Sequence, residues 1–516
     1  MKIRKVSCVL LIFILLAGML LPVHLVQAAE DTVNASLTSE KNSYLEYLKK
    51  YSDVSCPDNT IEVFGTGAVA SDDADVTFGE YEGRSDCVIW NNGAGEVSFT
   101  VNVPSDGRYC IGLNYFSVSG KGSSIEYSLF VDGVHPFSDC ASISFPRYYE
   151  YAGDKFLRDS NDNELRPEQV DVPMWCFSPI LDEEGLYVEP YSFFFSAGSH
   201  TITLRALRDG IVISSLVLYQ PEKVIGYDDY AADVNGTEIT GDTVIIEAEK
   251  PSLKTSPVLY PNADRSDALT STSHPVKTRL NTIGGGNWAY RTQQIIWDFE
   301  IPEDGYYKIG FRYKQNFLRG MSTYREIQID GKVPFAELSV VDFPYTSSWD
   351  LADTGEYRIY LTKGKHSITL TPTLSVTADI VLRTNECIEK LNDAYSQIIS
   401  ITGTTPDMWR NYYLHESIPG LKSTFKEVYK ELLSISDDMY EITGTRGSEA
   451  SLIDRICKQL KKFIKSQDAV SEQLESFHSN ISSLSSWSLN LQNQGLLLDR
   501  IFITPYGSEF PEVKTS

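Results

Sequence analysis

Val103-Pro104-Ser105-Asp106-Gly107-Arg108-Tyr109-Cys110-Ile111-Gly112 returns 198 residues later as Ile301-Pro302-Glu303-Asp304-Gly305-Tyr306-Tyr307-Lys308-Ile309-Gly310. Outward from this pair, residues 90–146 align with 288–344 at the same offset without a gap, and sixteen of the 57 positions are identical. They include Trp90/Trp288, Tyr115/Tyr313, Asp132-Gly133/Asp330-Gly331, Pro136-Phe137/Pro334-Phe335 and Phe145-Pro146/Phe343-Pro344. The chain holds one fold twice. In each copy apolar residues alternate ahead of the quoted turn: Val97, Phe99, Val101 and Val103 in the first, Ile295, Trp297, Phe299 and Ile301 in the second. Period-two alternation puts one face of a strand in a core. Pro-x-Asp-Gly and the later Asp-Gly pairs supply hairpin turns. Short strands with regular turns predict a mainly β chain of two tandem sandwiches, or jelly rolls.

The copies then diverge. Gly198-Ser-His200-Thr-Ile-Thr-Leu204 pairs with Gly364-Lys-His366-Ser-Ile-Thr-Leu370 at an offset of 166, so copy one carries 32 extra residues between Arg147 and Phe195. Its closing strand, Gly210 to Leu218, finds its partner only at Gly495 to Ile503, an offset of 285. About 119 residues therefore interrupt copy two before its last strand. Within them Val470, Leu474, Phe477, Ile481, Leu484, Trp487 and Leu491 step by three or four, as do three earlier stretches. That spacing predicts four amphipathic helices, a bundle inserted into the second sandwich.

The 516 residues offer room for about three domains. Net charge is −25, which repels phosphate backbones and argues against a nucleic-acid partner. Lys2, Arg4 and Lys5 precede an apolar run to Leu21, and Val26-Gln27-Ala28 provides a cleavage signature, so residues 1–28 read as a secretory signal. No later apolar run spans a membrane. The expected location is secreted or extracellular, associated with the cell surface. Seven cysteines remain beyond Cys8 with no C-x-x-C pair, which predicts buried thiols more than a disulfide scaffold. The domain map is a signal at 1–28, a short helix and linker at 29–59, and a first sandwich at 60–221. An acidic linker at 222–243 leads to a second sandwich at 244–384. A helical bundle at 385–490, the last strand of the second sandwich at 491–505 and a tail at 506–516 complete it.

Chemistry is sparse. There is no Gly-x-Ser-x-Gly elbow, P-loop or His-Glu-x-x-His, and Gly65-Thr-Gly67 is followed by acids instead of a helix. His200 and His366 read as turn or packing residues. No catalytic residue is singled out, and the expected protein is not an enzyme. Sugars present flat C–H faces on which Trp and Tyr stack. Trp288 and Tyr290 beside Gly284-Gly285-Gly286-Asn287, Tyr345 and Trp349 in a second loop, and Trp175 in the copy-one insertion are the candidate carbohydrate contacts. The alternative for Trp288 is that, like Trp90, it plugs its sandwich. Glu247 and Glu249 on an opening strand and Asp499 on the closing strand are candidate ligands for a structural calcium, because first and last strands are often neighbours. Asp159-x-Asn161-x-Asn163 has the flavour of a calcium loop but lacks its Gly and Glu.

Copy two, with Glu247-Ala-Glu249, Pro302-x-Asp304-Gly-Tyr-Tyr307, Arg312-Tyr313 and Leu498-Asp-Arg-Ile501, resembles the galactose-binding-like sandwiches of calcium-containing carbohydrate-binding modules. From about residue 40 to 505 the chain also resembles the N-terminal half of large extracellular solute-binding proteins of Firmicutes sugar ABC transporters. That likeness rests on Asn287-Trp288, Ser322-Thr-Tyr-Arg325, Asp330-Gly-Lys-Val-Pro-Phe335, Phe343-Pro-Tyr345 and Trp349. Leu165-Arg-Pro-Glu-Gln-Val170, Pro173-Met-Trp175, Ile401-Thr-Gly403 and Pro406-Asp-x-x-Arg410-Asn-Tyr412 extend it into both insertions. In those relatives a periplasmic-binding α/β domain follows and clamps the solute; this sequence stops at Ser516 without one. The resemblance therefore implies surface glycan binding, of a poly- or oligosaccharide, more than transport. Its implied partners are an ABC permease or other envelope proteins, and the rival role is a structural or docking module at the cell envelope.

Overall fold

The computed structural model describes residues 43–120, 124–270, 272–407, 409–445 and 447–513; the expected signal at 1–28 lies outside them. The first copy folds as two sheets. One runs Trp175–Pro179, Gly107–Phe116, Ile211–Tyr219, Arg84–Trp90, Val76–Tyr81, with Ile61–Phe64 and Ser192–Phe195 added at its ends. The facing sheet runs Val69–Ala70, Glu96–Val103, Gly198–Arg208, Ile125–Val131, Ile143–Phe145. Val97, Phe99, Val101 and Val103 point inward and are buried, as their alternation requires.

The second copy repeats this plan. Its first sheet is Pro261–Asn262, Thr282–Gly285, Leu496–Pro505, Gly305–Lys314, Asp350–Asp353, with Val244–Glu247 and Ile359–Leu361 attached. The late strand Leu496–Pro505 sits in the middle, pairing with Gly305–Lys314 on one side and with Val244–Glu247 and Thr282–Gly285 on the other. Leu496, Leu498, Ile501 and Ile503 are fully buried, each contributing about 1.5–3 kcal/mol by leaving water. Helices Val376–Thr402, Leu421–Thr443, Ser448–Lys465 and Leu474–Gln492 form the bundle that precedes this strand. The bundle starts at Val376, nine residues before the expected 385, because Ile380 and Val381 extend the apolar stripe back to the end of the preceding strand. Its entry and exit lie together. Tyr324 pairs with Thr373 in the sheet and donates its amide to the Gln494 side chain at 2.9 Å.

Each sandwich is pinned by a small helix, and here the sequence held a second repeat. In Tyr44–Lys50, Tyr44 and Tyr47 pack on Phe137, and their hydroxyls accept the amides of Ser192 and Phe194 at 2.9 and 2.8 Å. The segment 222–243 expected as a linker contains the counterpart, Tyr227–Asp233. Tyr227 and Tyr230 pack on Phe335 and accept the amides of Arg358 and Tyr360, both at 3.0 Å. The acidic composition hid two tyrosines that find a core and two strand amides. The histidine pair is structural too: His200 Nδ1 lies 2.7 Å from Asp132 and His366 Nδ1 2.7 Å from Asp330, tying a strand to an Asp-Gly turn. Asp132 and Asp330 both have positive φ, 50° and 52°, which a short polar side chain tolerates. The seven described cysteines are unpaired, and all but Cys56 are buried.

Two outcomes follow from this construction. Cutting the chain after residue 373 removes the central strand of a sheet and should give aggregated protein. Replacing residues 376–492 with a short Gly-Ser loop should leave a soluble, cooperatively melting pair of sandwiches, because the ends of the insertion already meet at Tyr324; a soluble cut at 373 would refute this placement of the strand. Burial pulls both histidines down, but the hydrogen bonds to Asp132 and Asp330 outweigh it and raise them above 6.5. A raised histidine contributes stability below 6.5 that is lost as pH climbs through its folded value. The melting temperature should therefore fall as pH rises from 6.5 through the raised folded values, and the double variant His200→Gln, His366→Gln should flatten that slope.

Candidate functional site: the cleft between the sandwiches

The extra residues of copy one decide how the sandwiches meet. Tyr149–Tyr151 and Gln169–Asp171 form a hairpin, and Tyr149 pairs with Lys254. The sheet that continues from it is the second sheet of copy two, through Leu253–Lys254, Ile295–Ile301, Gly364–Thr373, Thr323–Ile329 and Val341–Phe343. The first copy thus donates two strands to the second. Lys254 is fully buried beneath the hairpin with Nζ 3.6 Å from the Tyr151 ring centroid, and burial pushes its amine down to about 7.

The hairpin tip is clamped electrostatically. Asp162 meets Lys277 at 2.5 Å and Arg279 at 3.0 Å, and Glu164 accepts the Leu280 amide. The Asp159-x-Asn161-x-Asn163 stretch is part of this clamp. Asp159 caps the amides of Asn161 and Asn163, and the Asn163 side chain accepts the Thr278 amide at 2.9 Å. A second stretch of the insertion forms a three-way joint. Arg291 donates to the carbonyls of Tyr187 and Val188 at 2.7 and 2.6 Å. Tyr187 packs edge-on against Tyr44, and Leu186 packs on the bundle core.

Between these struts lies a cleft of about 1360 Å³. Its floor is the outer face of the second copy's donated-to sheet. Ile295, Ile327, Ile368 and Leu370 face the core, so their neighbours face out. Ile296, Thr369 and Gln328 lie in one cross-strand row, and Thr371 and Glu326 in the next. Gln328 donates to Glu326 at 2.7 Å, while the buried Thr371 hydroxyl has no hydrogen-bond partner. Tyr148, the half-exposed ring of Phe177 and residues 221–224 also line the space. Glu183 lines the space as well; burial pushes its carboxyl up, hydrogen bonds from Ser144 oppose this, and Glu126 adds to the rise. The space thus brings together aromatic, amide, hydroxyl and carboxylate side chains from both copies.

None of the five aromatics proposed from sequence lines this cleft. Trp288 is fully buried, its indole N–H bonded to Gln293 O at 2.8 Å and the Arg325 guanidinium 4.4 Å above its ring. Trp90 is buried the same way, bonded to Ala94 O. Trp288 is therefore a plug and offers no face to a ligand, a correction to its assignment as a contact. Trp349 is likewise 2% exposed, with its N–H toward Asp264 and Ser266 and Arg312 over its ring. Trp175 lies on an edge strand of the first sandwich under Arg84, its N–H bonded to Glu82 O. Tyr290 and Tyr345 keep 49% and 38% exposure on loops of the second. What the sequence reading missed is the floor; its signal was Ser367-x-Thr369-x-Thr371-x-Thr373, a strand whose outward positions carry hydroxyls and no charge.

The three carboxylates of the calcium reading are placed as follows. Val244–Glu247 pairs directly with Leu496–Pro505, setting Glu247 opposite Arg500, next to Asp499. Asp499 is fully buried and gives Oδ2 to Arg312 at 2.7 Å and to Arg500 at 3.0 Å. Its Oδ1 and Glu249 Oε2 have no hydrogen-bond partner. Burial, then Glu247, pushes the Glu249 carboxyl up to about 8. Among the described residues, no three His, Cys, Asp or Glu side chains converge as a ligand set.

Comparison with known proteins adds the following. Residues 379–492 match the family described as bacterial solute-binding protein, 4-helix bundle domain. No curated protein matches the chain. Among solved structures, a family 35 carbohydrate-binding module from Clostridium thermocellum is 16% identical, covering 32% of this chain and 99% of that one, with a TM-score of 0.20. The C-terminal CBM6 of LamC, a laminarinase from Zobellia galactanivorans, is 15% identical over 31% of this chain and 100% of its own, with a TM-score of 0.19. A Podospora anserina GH26-CBM35 β-(1,4)-mannanase is 15% identical over 36% of this chain and 32% of its own, also with a TM-score of 0.19. No helix among the described residues is long and apolar enough to cross a membrane.

The buried tryptophans make a direct prediction. Trp288→Ala or Trp349→Ala should cost about 3–5 kcal/mol of stability in denaturant melts. Tyr290→Ala and Tyr345→Ala, whose rings are exposed, should stay within roughly 1 kcal/mol of the parent.

Proposed function

We propose that this protein is a non-catalytic carbohydrate-binding protein of the cell exterior that holds an oligo- or polysaccharide in the cleft between its sandwiches. The observation that carries the reading is the cleft itself. The half-exposed ring of Phe177 lines the same space as Tyr148, Thr369, Gln328 and Glu326, a mix of apolar ring and polar groups of the kind that a sugar site uses. Its size exceeds the roughly 300–1,000 Å³ of small-molecule pockets, which suits a chain of several rings. The match of the bundle to solute-binding proteins supports a place beside a sugar importer, with a permease as the partner in that setting. A glycan array and affinity gels run on the full chain test this. Retention on at least one polysaccharide is expected, and Phe177→Ala should weaken it about threefold to tenfold with an unchanged melt. Binding to nothing on the array would overturn the reading. Recovery of a permease from envelope extract regardless of added sugar would favour the docking role instead.

Within the same proposal, Glu247, Glu249 and Asp499 hold a structural calcium. Support comes from Glu249 Oε2 and Asp499 Oδ1, hard oxygens buried without hydrogen-bond partners between the first and last strands. The three side chains would have to swing together to share the ion. Chelator should lower the melting temperature of the calcium-loaded protein, and Asp499→Ala should abolish that shift; a melt indifferent to chelator removes the ion.

A further inference from the structure

The end of the bundle farthest from the sandwiches carries an aromatic ring left in solvent. Helix Val376–Thr402 leaves the second sandwich directly after a strand and Leu474–Gln492 returns to it, so the connections at 403–420 and 466–473 lie at the far end. At roughly 1.5 Å per residue, the 27 residues of the first helix hold that end about 40 Å from the sheet. Trp409 there is 94% exposed, more than any other large apolar side chain among the described residues, and Tyr413 and Ile401 of the same region are exposed too.

The loop that presents Trp409 is fixed by its own side chains. Tyr412 packs on the bundle core and its hydroxyl accepts the Asp407 amide at 2.9 Å, while Asp407 Oδ1 accepts the Trp409 amide at 2.9 Å. Tyr413 holds φ 49° and ψ 43°, a left-handed conformation that an aromatic residue adopts only where its surroundings impose it. The fold itself keeps the indole turned out.

The charge at this end is opposite in sign to that of the chain. From Arg455 to Gln467 there are five bases and no acid. Lys458, Lys461, Lys462 and Lys465 share one face of helix Ser448–Lys465, and all four are exposed. The His415 amide donates to the Gln467 side chain at 3.1 Å, which sets the aromatic loop against the end of this basic face. Lys422 is close as well: burial, and then the Lys422 charge, press the His415 imidazole below its usual range. Of the nearby acids, Asp407 is used within the loop and Glu427 meets Lys390 at 2.5 Å. Glu416, Asp468, Glu472 and Glu475 are outnumbered by Arg410, Lys422, Lys426 and the four lysines of the helix face. The whole chain has a net charge of −25, but with a Debye length of about 10 Å in 0.1 M salt a surface meeting the tip feels only the tip.

We propose that this tip docks on an anionic lipid bilayer. Trp409 enters the boundary between headgroups and acyl chains, where an indole keeps its ring in an apolar layer and its N–H in a wet one. Arg410, Lys422, Lys462 and Lys465 lie at headgroup level as counter-charges. One aromatic tip with a few bases gives reversible, salt-sensitive attachment. The bundle is then a stalk that holds the sandwiches about 40 Å above the membrane, whatever the cleft between them binds.

The test uses the chain from residue 29 onward, which keeps every described residue and leaves out the apolar run before Leu21. It is sedimented with vesicles of phosphatidylcholine alone or with one-third phosphatidylglycerol. Binding to the anionic vesicles should exceed binding to the neutral ones at least about tenfold, and should collapse between roughly 50 and 500 mM salt. Trp409→Ala, and the double variant Lys462→Glu, Lys465→Glu, should each weaken it at least about fivefold with the parent's melt, because these side chains are exposed. Brominated phosphatidylglycerol should quench the intrinsic fluorescence of the parent but not that of Trp409→Phe, which keeps an aromatic anchor. No binding to anionic vesicles overturns the proposal, as does binding that both sets of substitutions leave intact. A tip that Trp409→Ala shows to be a sugar contact on glycan gels, or a contact between two copies of the chain, in place of vesicle binding overturns it as well.

Discussion

The first copy's hairpin, Tyr149–Tyr151 with Gln169–Asp171, adds itself to the second copy's sheet at Lys254, and the relation between the sandwiches depends on that addition. Two copies joined only by a polar linker would be free to tumble. Here a continuous seven-stranded sheet crosses from one copy's chain into the other's core. Burying the Lys254 amine under Tyr151 is costly in isolation, and the clamp at Asp162 and Glu164 supplies ion pairs and backbone contacts along the rest of the arm. The cleft is the space this strut holds open, so its width is set by strand pairing and not by loop conformation.

Arg325 plays the corresponding part between sandwich and bundle. It is fully buried, without a carboxylate, and donates to the carbonyls of Tyr324, Trp288 and Gln494 while lying over the Trp288 ring. One side chain thereby joins the plug of the core, a strand of the sheet and the point where the bundle hands the chain back. The planar fork of a guanidinium can satisfy several carbonyls at once, which an ammonium cannot do in the same geometry. The opposite sheet has Arg312 in a similar buried position, but paired with Asp499 and Asp267.

The sequence made the duplicated strands legible because alternation and Asp-Gly turns are local, and it exposed the interrupted strand because Gly495–Ile503 could be matched to Gly210–Leu218. The strands Leu253–Lys254 and Tyr149–Tyr151 were not legible. At two and three residues they carry no periodicity, and their pairing is a long-range event. The second tyrosine helix was hidden for a different reason. A short helix was expected within 29–59, but Tyr227-x-x-Tyr230 repeats Tyr44-x-x-Tyr47 at a spacing unlike the sandwich repeat, inside an acidic segment read as a linker. The site suffered most. An aromatic letter does not say whether its ring is buried, so Trp288 and Trp349 looked like contacts, while the cleft floor is built of threonine and glutamine that composition does not mark.

The strand-donating arm also has a consequence for assembly. Its acceptor edge at Lys254 and its donor hairpin at Tyr149 belong to different folding units of one chain, separated by the segment around residues 221–243. Every contact the arm makes within a molecule can be made identically with the acceptor edge of a neighbour. Exchange of the arm between two chains would then cost mainly the entropy of joining them and any rearrangement of the connecting segment, the low-cost route to a dimer that swapped elements offer. Such a dimer would hold two clefts in fixed relative orientation, the arrangement in which paired sites gain avidity.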